Sequence, residues 1–213
     1  MKKLAIIGGG SFGQQIAHHA EQTGHYKPVF FFDDTIPPGT STNKLPVRGN
    51  CEQIESSYAD AEFDEFVIGI GYHHFEARHS LFSKLAASIP AATIIHPSCF
   101  ISPSAKIGPG AVIMPGVTID SHCDIGRSCV INCGTVISHD CKIHDNVFIG
   151  PGATLAGNVE VSSHCFIGVG TTLIDNLFIS EGIQTGGGAV VTKDISTPGL
   201  YAGVPASFIR PVN

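Results

Sequence analysis

Charge is scarce in this chain. Aspartate, glutamate, lysine and arginine make up 14% of its 213 residues, where a soluble domain usually carries about a quarter. The net charge is −6, and neither a run of like charges nor a basic stripe is present to neutralise a phosphodiester backbone, which argues against nucleic acid as a partner. The first ten residues hold two lysines, four apolar residues and then three glycines. That stretch is too short for a secretory core or a membrane span, so a cytoplasmic protein with no membrane insertion is expected. The seven cysteines are odd in number and form no CxxC, so a disulfide framework is not expected.

Turn formers are plentiful instead. The chain has 25 glycines and 13 prolines, a balance suited to tight turns at short intervals. From Ile95 to Ile179 every sixth residue is Ile, Leu or Val, among them Ile119, Ile137, Ile149, Leu155 and Ile167. The fourth residue after each is restricted as well, and it holds five of the cysteines, Cys99, Cys123, Cys129, Cys141 and Cys165. Two inward positions per hexad, one branched and one mostly small, describe a narrow β-helix over about Ile95 to Ile183. Three hexads close one coil, so residues 18 apart stack at roughly 4.8 Å. The pattern fails at Thr185, and the remainder reads as a terminal cap.

The front of the chain has another rhythm. A strand over Leu4–Ile7 runs into Gly8-Gly9-Gly10-Ser11-Phe12-Gly13 and a helix to about Thr23. A second strand, Val29–Phe32, ends at Asp33-Asp34; Pro37 to Asn43 reads as a loop; a third strand, Phe66–Ile70, ends at Gly71, and a helix over about Phe75–Ala87 follows. Glycines where strand turns into helix bring backbone N–H groups to an anion. The segment is too short for a complete dinucleotide fold, so a Rossmann-like half domain over 1–90, suited to one nucleotide, is expected ahead of a β-helix domain over 91–213.

These residues resemble a family of bacterial sugar acetyltransferases that includes the sialic-acid O-acetyltransferase and the UDP-4-amino-sugar N-acetyltransferase (PglD-like) types. The likeness rests on Gly8–Gly13, Asp33-Asp34, Ile94-Ile95-His96-Pro97, His139-Asp140, Ala156-Gly157-Asn158-Val159, Gly186-Gly187-Gly188-Ala189 and Gly203-Val204-Pro205-Ala206. It implies a left-handed parallel β-helix, a homotrimer with acetyl-CoA between neighbouring helices, and a nucleotide-linked sugar held by the front domain. The function expected is N-acetylation of such a sugar in surface-glycan biosynthesis, with O-acetylation of sialic acid or another free sugar as the alternative.

Acetyl transfer needs a base for the acceptor proton and a donor for the thioester oxyanion. His139 occupies the third place of its hexad, at a corner rather than inside, and the family's catalytic histidine aligns with it. Asp140 follows where relatives carry an acidic partner. The 18-residue spacing stacks Gly157 on His139, and the resemblance independently puts Gly157 at the acetyl-CoA thioester. Val169, Gly187 and Lys193 are further cofactor positions that it implies, and Arg210 is a second cation suited to CoA phosphates. Phe148 stands where relatives have a second histidine near the cofactor, and Phe12 where they have one in the glycine turn. Gly71-Tyr72-His73-His74 departs from the family's Gly-Asn-Asn. Gly8, Gly10, Ser11, Phe12, Asp33, Asp34, Gly71 and Tyr72 are the expected substrate contacts, although Asp33 and Asp34 suit a loop cap equally well.

Three other readings stand beside this one. His139 and His144 have the offset of two zinc ligands in γ-class carbonic anhydrases, yet the third place two coils earlier is Pro103, so no metal is expected. Gly8-x-Gly10-x-x-Gly13 followed by Asp33 suits a dehydrogenase, against which the second half of the fold is missing. A non-enzymatic trimeric scaffold would use the repeat as a spacer.

Overall fold

The computed structural model describes residues 1–42 and 44–212. Asn43, the end of the expected loop, and Asn213, the end of the expected second domain, lie outside the described residues. The chain divides into two compact units at His96/Pro97.

In the first unit β1 (Lys2–Ile7), α1 (Ser11–Gln22), β2 (Tyr26–Phe32), β3 (Ser41–Thr42), β4 (Leu45–Gly49), α2 (Ile54–Ala59), β5 (Glu65–Ile68) and α3 (Phe75–Leu85) follow in order. The sheet order is β3-β4-β2-β1-β5, parallel except for the β3–β4 hairpin. Strands β1, β2 and β5 end level, with Ile7 opposite both Phe32 and Ile68. Gly8, Asp33 and Gly69 therefore leave the sheet side by side at its carboxyl edge, where parallel α/β sheets present their ligand crevice. Beneath it Phe30, Phe32, Phe63, Phe66 and Phe82 form an aromatic core.

Several element limits differ from expectation. Ser41–Thr42 is a strand rather than loop, and β4 and α2 went unread because Pro46 and Gly49 read as strand breakers in the former, although its burial alternates, and the latter spans less than two turns. Strand β5 stops at Ile68 rather than Ile70, and α3 at Leu85 rather than Ala87.

The second unit is a left-handed parallel β-helix. From Phe100–Ile101 to Phe178–Ile179 its strands are two residues long and pair in register at intervals of 18, as in Thr118, Val136, Thr154 and Thr172 on one wall. The branched residues at every sixth place from Ile113 to Ile179 are buried, while Ile101 and Ile107 in the first coil are only half-buried. Each such fully buried side chain contributes about 1.5–3 kcal/mol. The stacking also outlasts the hexads: Val190–Val191 pairs with Thr172–Leu173, and Ile195 bridges to Ile179, beyond the expected end at Ile183.

The cysteine column has a physical cause. Cys99, Cys123, Cys129, Cys141 and Cys165 donate their thiols to the carbonyls of Met114, Ser138, His144, Ala156 and Ser180, each 15 residues on, at 3.0–3.1 Å. Thr135 and Thr171 do the same to Gly150 and Gly186. Where the inward corner position carries Cys or Thr rather than Ala or Val, the side chain is small enough to fit and also satisfies a buried carbonyl. At the fourth place of the hexad, from Gly110 to Gly182, the backbone is left-handed, with φ of 57° at His122, 58° at Asp140 and Asn158, and 59° at Asn176. Glycine, Asn, Asp and, less often, His tolerate that conformation, which accounts for much of the composition.

Candidate functional site

The corner holding His139 is assembled by register alone. Val136–Ile137 and Lys142–Ile143 belong to two different walls, and the segment between them turns outward, leaving the imidazole about half exposed. Nδ1 of His139 lies 2.8 Å from Oδ2 of Asp140. A carboxylate there selects the tautomer protonated at Nδ1 and leaves the lone pair on Nε2. Asp140 in turn is held by its N–H on the Ser121 carbonyl at 2.9 Å, and Asn158 N–H donates to the His139 carbonyl at 3.0 Å.

Gly157 packs over the ring. A Cβ there would stand 2.5 Å from Cε1 and 2.6 Å from Nε2 of His139, so only glycine leaves room for the imidazole in this position. The same corner continues through Asp175 to Lys193, each 18 residues on, with Val191 in register with Leu173. Three coil steps separate Lys193 from His139, roughly 14 Å along the axis. Lys193 is exposed beside Tyr201 and Phe208 in a cleft of about 280 Å³. Arg210, also exposed, donates to the Pro211 carbonyl at 3.3 Å.

Val169 and Gly187 stack on each other, with Gly188 N–H donating to the Val169 carbonyl at 2.8 Å. They occupy a different corner, between the wall of Phe166–Ile167 and that of Thr172–Leu173. A single chain therefore does not bring them to His139. Phe148 is buried against Phe166, ring centroids 5.8 Å apart. His144 is turned to Glu160, at 2.8 Å, and among the described residues no group of three His, Cys, Asp or Glu side chains is placed to hold a metal ion.

In the first unit the glycine turn is tied down from Asp33. Gly9 N–H donates to Oδ2 at 2.8 Å, while Thr35 N–H, Thr35 Oγ1 and Ile36 N–H all donate to Oδ1. Burial by itself would push the Asp33 carboxyl up, but these bonds outweigh it and hold it below the usual carboxylate range. Asp33 thus acts within the protein as a loop cap. Asp34 accepts Cys51 N–H at 2.8 Å and, with Thr35, Asn50 and Gln53, lines a cleft of about 470 Å³. Any side chain at Gly13 would collide with the Gly8 carbonyl, so the third glycine of the turn lets α1 lie close on β1. Gly10 precedes α1, with Ser11 exposed and Phe12 half-buried. Gly71 and Tyr72 are half-buried, the Tyr72 ring 4.1 Å from that of His73.

Sequence reasoning missed Arg78. It is buried on α3, and its guanidinium donates to the carbonyls of Ile70 at 2.6 Å and Ile68 at 3.4 Å, fixing the chain that leads into Gly71-Tyr72. The sequence carries no signal for it, since six of the eleven residues of α3 are polar or charged and Arg78 reads there as one more exposed side chain.

The two units match two family models, the PglD N-terminal domain over residues 3–85 and the GMPPB C-terminal domain over residues 91–183. No curated protein matches the chain. Among solved structures, the acetyltransferase domain of PglB from Neisseria gonorrhoeae FA1090 is 30% identical, with a TM-score of 0.91 over 98% of this chain and 100% of that one. The chain belongs to the bacterial sugar acetyltransferases of the hexapeptide-repeat type. This acetyltransferase, which uses acetyl-CoA, is also similar to a GDP-perosamine N-acetyltransferase from Caulobacter crescentus. A variant of that protein with one histidine replaced by alanine, in complex with CoA and GDP-perosamine, is 28% identical, with a TM-score of 0.91 over 98% of this chain and 97% of that one. WeeI from Acinetobacter baumannii AYE follows at 26% identity and a TM-score of 0.84, over 98% of this chain and 100% of that one.

Proposed function

We propose that this acetyltransferase N-acetylates an amino sugar linked to a nucleotide, in the cytoplasm, as a step of surface-glycan biosynthesis, with His139 as general base. The observation that carries the reading is the 2.8 Å contact between Nδ1 of His139 and Asp140, which leaves Nε2 as acceptor beneath Gly157. The neutral acceptor nitrogen attacks the thioester carbonyl carbon while Nε2 takes its proton. The Gly157 N–H stabilises the oxyanion. The C–S bond then breaks, and the departing CoA sulfur recovers the proton from His139. No acyl-enzyme forms: Cys141, the nearest thiol in sequence, is fully buried, and its hydrogen bonding with Cys123, together with burial, pushes its pKa up.

The corner column supports a cofactor lying along the helix, thioester at His139 and Gly157, phosphates toward Lys193. Val169 and Gly187 sit on another corner of the same coil, so a site containing all of them needs a second copy. This supports a homotrimer with active sites between subunits. Residues 1–90 hold the nucleotide-linked sugar and residues 91–213 carry out acyl transfer. Asp34, Gly10, Ser11, Phe12, Gly71 and Tyr72 are the sugar-nucleotide contacts, and Gly8 and Asp33 shape the turn that presents them. In the Caulobacter crescentus complexes, which contain CoA and GDP-perosamine, one histidine is replaced by alanine or asparagine, an independent reason to test a histidine here.

The test is CoA release from acetyl-CoA with GDP-, UDP- and dTDP-linked 4-amino sugars and with free sialic acid. His139→Ala is expected to lose about 10²- to 10⁴-fold in rate and to keep acetyl-CoA binding. An amide product resists hydroxylamine, whereas an ester does not. Undiminished turnover by His139→Ala, or an acetyl-cysteine trapped in a single turnover, overturns the mechanism.

A further inference from the structure

The carboxylate of Asp140 has two oxygens, and only one faces His139. The other, Oδ1, lies 3.7 Å from Nδ1 of His122. His122 precedes Asp140 by 18 residues and sits at the same corner of the preceding coil, with the same left-handed backbone. Both main chains are pinned: His122 N–H donates to Ser104 Oγ at 3.0 Å and Asp140 N–H to Ser121 O at 2.9 Å. What is left to move is the Asp140 side chain. It is about half exposed, so one that is bonded only to His139 loses the imidazole whenever it rotates toward water.

We propose that His122 is a positioning residue for the base: in its protonated form it pairs with Oδ1 of Asp140 and keeps Oδ2 on Nδ1 of His139. This rests on the reading of His139 as base. Of the residues stacked in that corner column, Ser104, His122, Asp140, Asn158 and Asn176, His122 alone can carry positive charge. A separation of 3.7 Å is too long for a hydrogen bond and within reach of ion pairing, so a neutral imidazole does little there. The effect is therefore confined to the acid side of the activity profile. The charged groups on the coils around His122 are Asp120 and Asp124 on its own coil, His139, Asp140 and Lys142 on the next, and Lys106 on the preceding one, with Lys106 and Lys142 in strand register with Asp124. The pair is exposed, so its contribution is small, a rate factor of about 2- to 5-fold.

The experiment is kcat and KM for acetyl-CoA and sugar from pH 5.5 to 8.5 in the full-length protein, for wild type, His122→Ala and His122→Lys. His122→Ala is expected to lose about 2- to 5-fold in kcat at the acid end of this range, with both KM values unchanged, and to match wild type at pH 8.5. His122→Lys, cationic throughout, retains the low-pH rate. In an Asp140→Asn background the His122→Ala effect disappears. A loss of equal size at every pH, a loss that persists in that background, or no loss at any pH overturns the proposal. Histidine NMR needs no substrate and reads the pairing separately: Asp140→Asn moves the His122 imidazole resonances at pH 5.5 and leaves them in place at pH 8.5. Failure of the pairing in that spectrum sinks the role of His122, whereas full turnover by His139→Ala sinks the base itself.

Discussion

Gly157 and His139 stack across adjacent coils so closely that the place of a Gly157 Cβ lies 2.5 Å from Cε1 of the imidazole. Glycine is retained there for its missing side chain, and not for its φ, which falls outside the left-handed set. The ring is thus held from below by Asp140 and from above by bare backbone.

Gly157→Ala is expected to displace the His139 ring by a few tenths of an ångström or more while leaving the wall strands paired. Misplacement on that scale lowers kcat by about 10- to 10²-fold. Stopped-turnover assays together with thermal unfolding check this: the melting temperature should stay close to wild type. A variant that is both active and stable would show that the ring has room to spare.

Asp33 makes a pH-dependent prediction. Its folded carboxyl is held below its unfolded value, about 3.9, by the hydrogen bonds from Gly9, Thr35 and Ile36, which outweigh burial. A depressed carboxyl stabilises the native state at pH values above its unfolded pKa, and that contribution is lost as pH falls through the folded one. Asp33→Asn should therefore melt lower than wild type at pH 7, and the difference should shrink as pH drops below about 4. A difference independent of pH would mean that the loop depends on the shape of the side chain rather than on its charge.

The β-helix was legible because its physics is periodic. Ile137 and Leu155 must both point inward, and a period of six with stacking at 18 then fixes which outward residues meet, as it did for Gly157 over His139. It could not say which way a side chain turns. Asp140 reaching its neighbour's ring, and His122 reaching Asp140 from the coil before, depend on a left-handed backbone at the fourth place, visible only as an excess of Gly, Asn, Asp and His. In the front unit Asp33 and Asp34 look equivalent in sequence and both border the same cleft, yet Asp33 is bound on both oxygens, by its own loop and by the glycine turn, whereas Asp34 accepts from Cys51 N–H. β4 was hidden because Pro46 reads as a breaker in so short a strand, and Arg78 because a cation in a helix of mixed polarity reads as an exposed one.

Thiol accessibility tests the inward column. Cys123, Cys129, Cys141 and Cys165 are buried, Cys51 and Cys99 are half-buried and Cys133 is exposed. Burial pushes the Cys165 thiol up to about 12, and burial with the nearby Asp34 carboxylate does the same for Cys51. The thiolate is the reactive form. Ellman's reagent at pH 8 should find one fast thiol in the native protein, removed by Cys133→Ser, and the four buried thiols only after denaturation. Rapid labelling of Cys141 in the native state would contradict both the packing and the absence of a cysteine nucleophile.

Arg78 connects the packing of the first unit to its substrate edge. Its guanidinium bonds to the Ile70 and Ile68 carbonyls inside the protein, and hydrogen bonds from a buried charged donor contribute about 1.5–3 kcal/mol each. Arg78→Met keeps much of the volume and removes the donor, leaving the Ile70 carbonyl to find another partner and loosening the chain into Gly71-Tyr72. The expected result is a melting transition lowered by several degrees and a KM for the nucleotide sugar raised about 10-fold, with the KM for acetyl-CoA unchanged. Both bonds leave one guanidinium nitrogen, Nη1, so an ammonium can keep part of this bonding, and Arg78→Lys should lie between wild type and Arg78→Met. If both KM values rise together in Arg78→Met, the loop is not a separate sugar-binding element, and the assignment of nucleotide-sugar binding to residues 1–90 loses its main mechanical support.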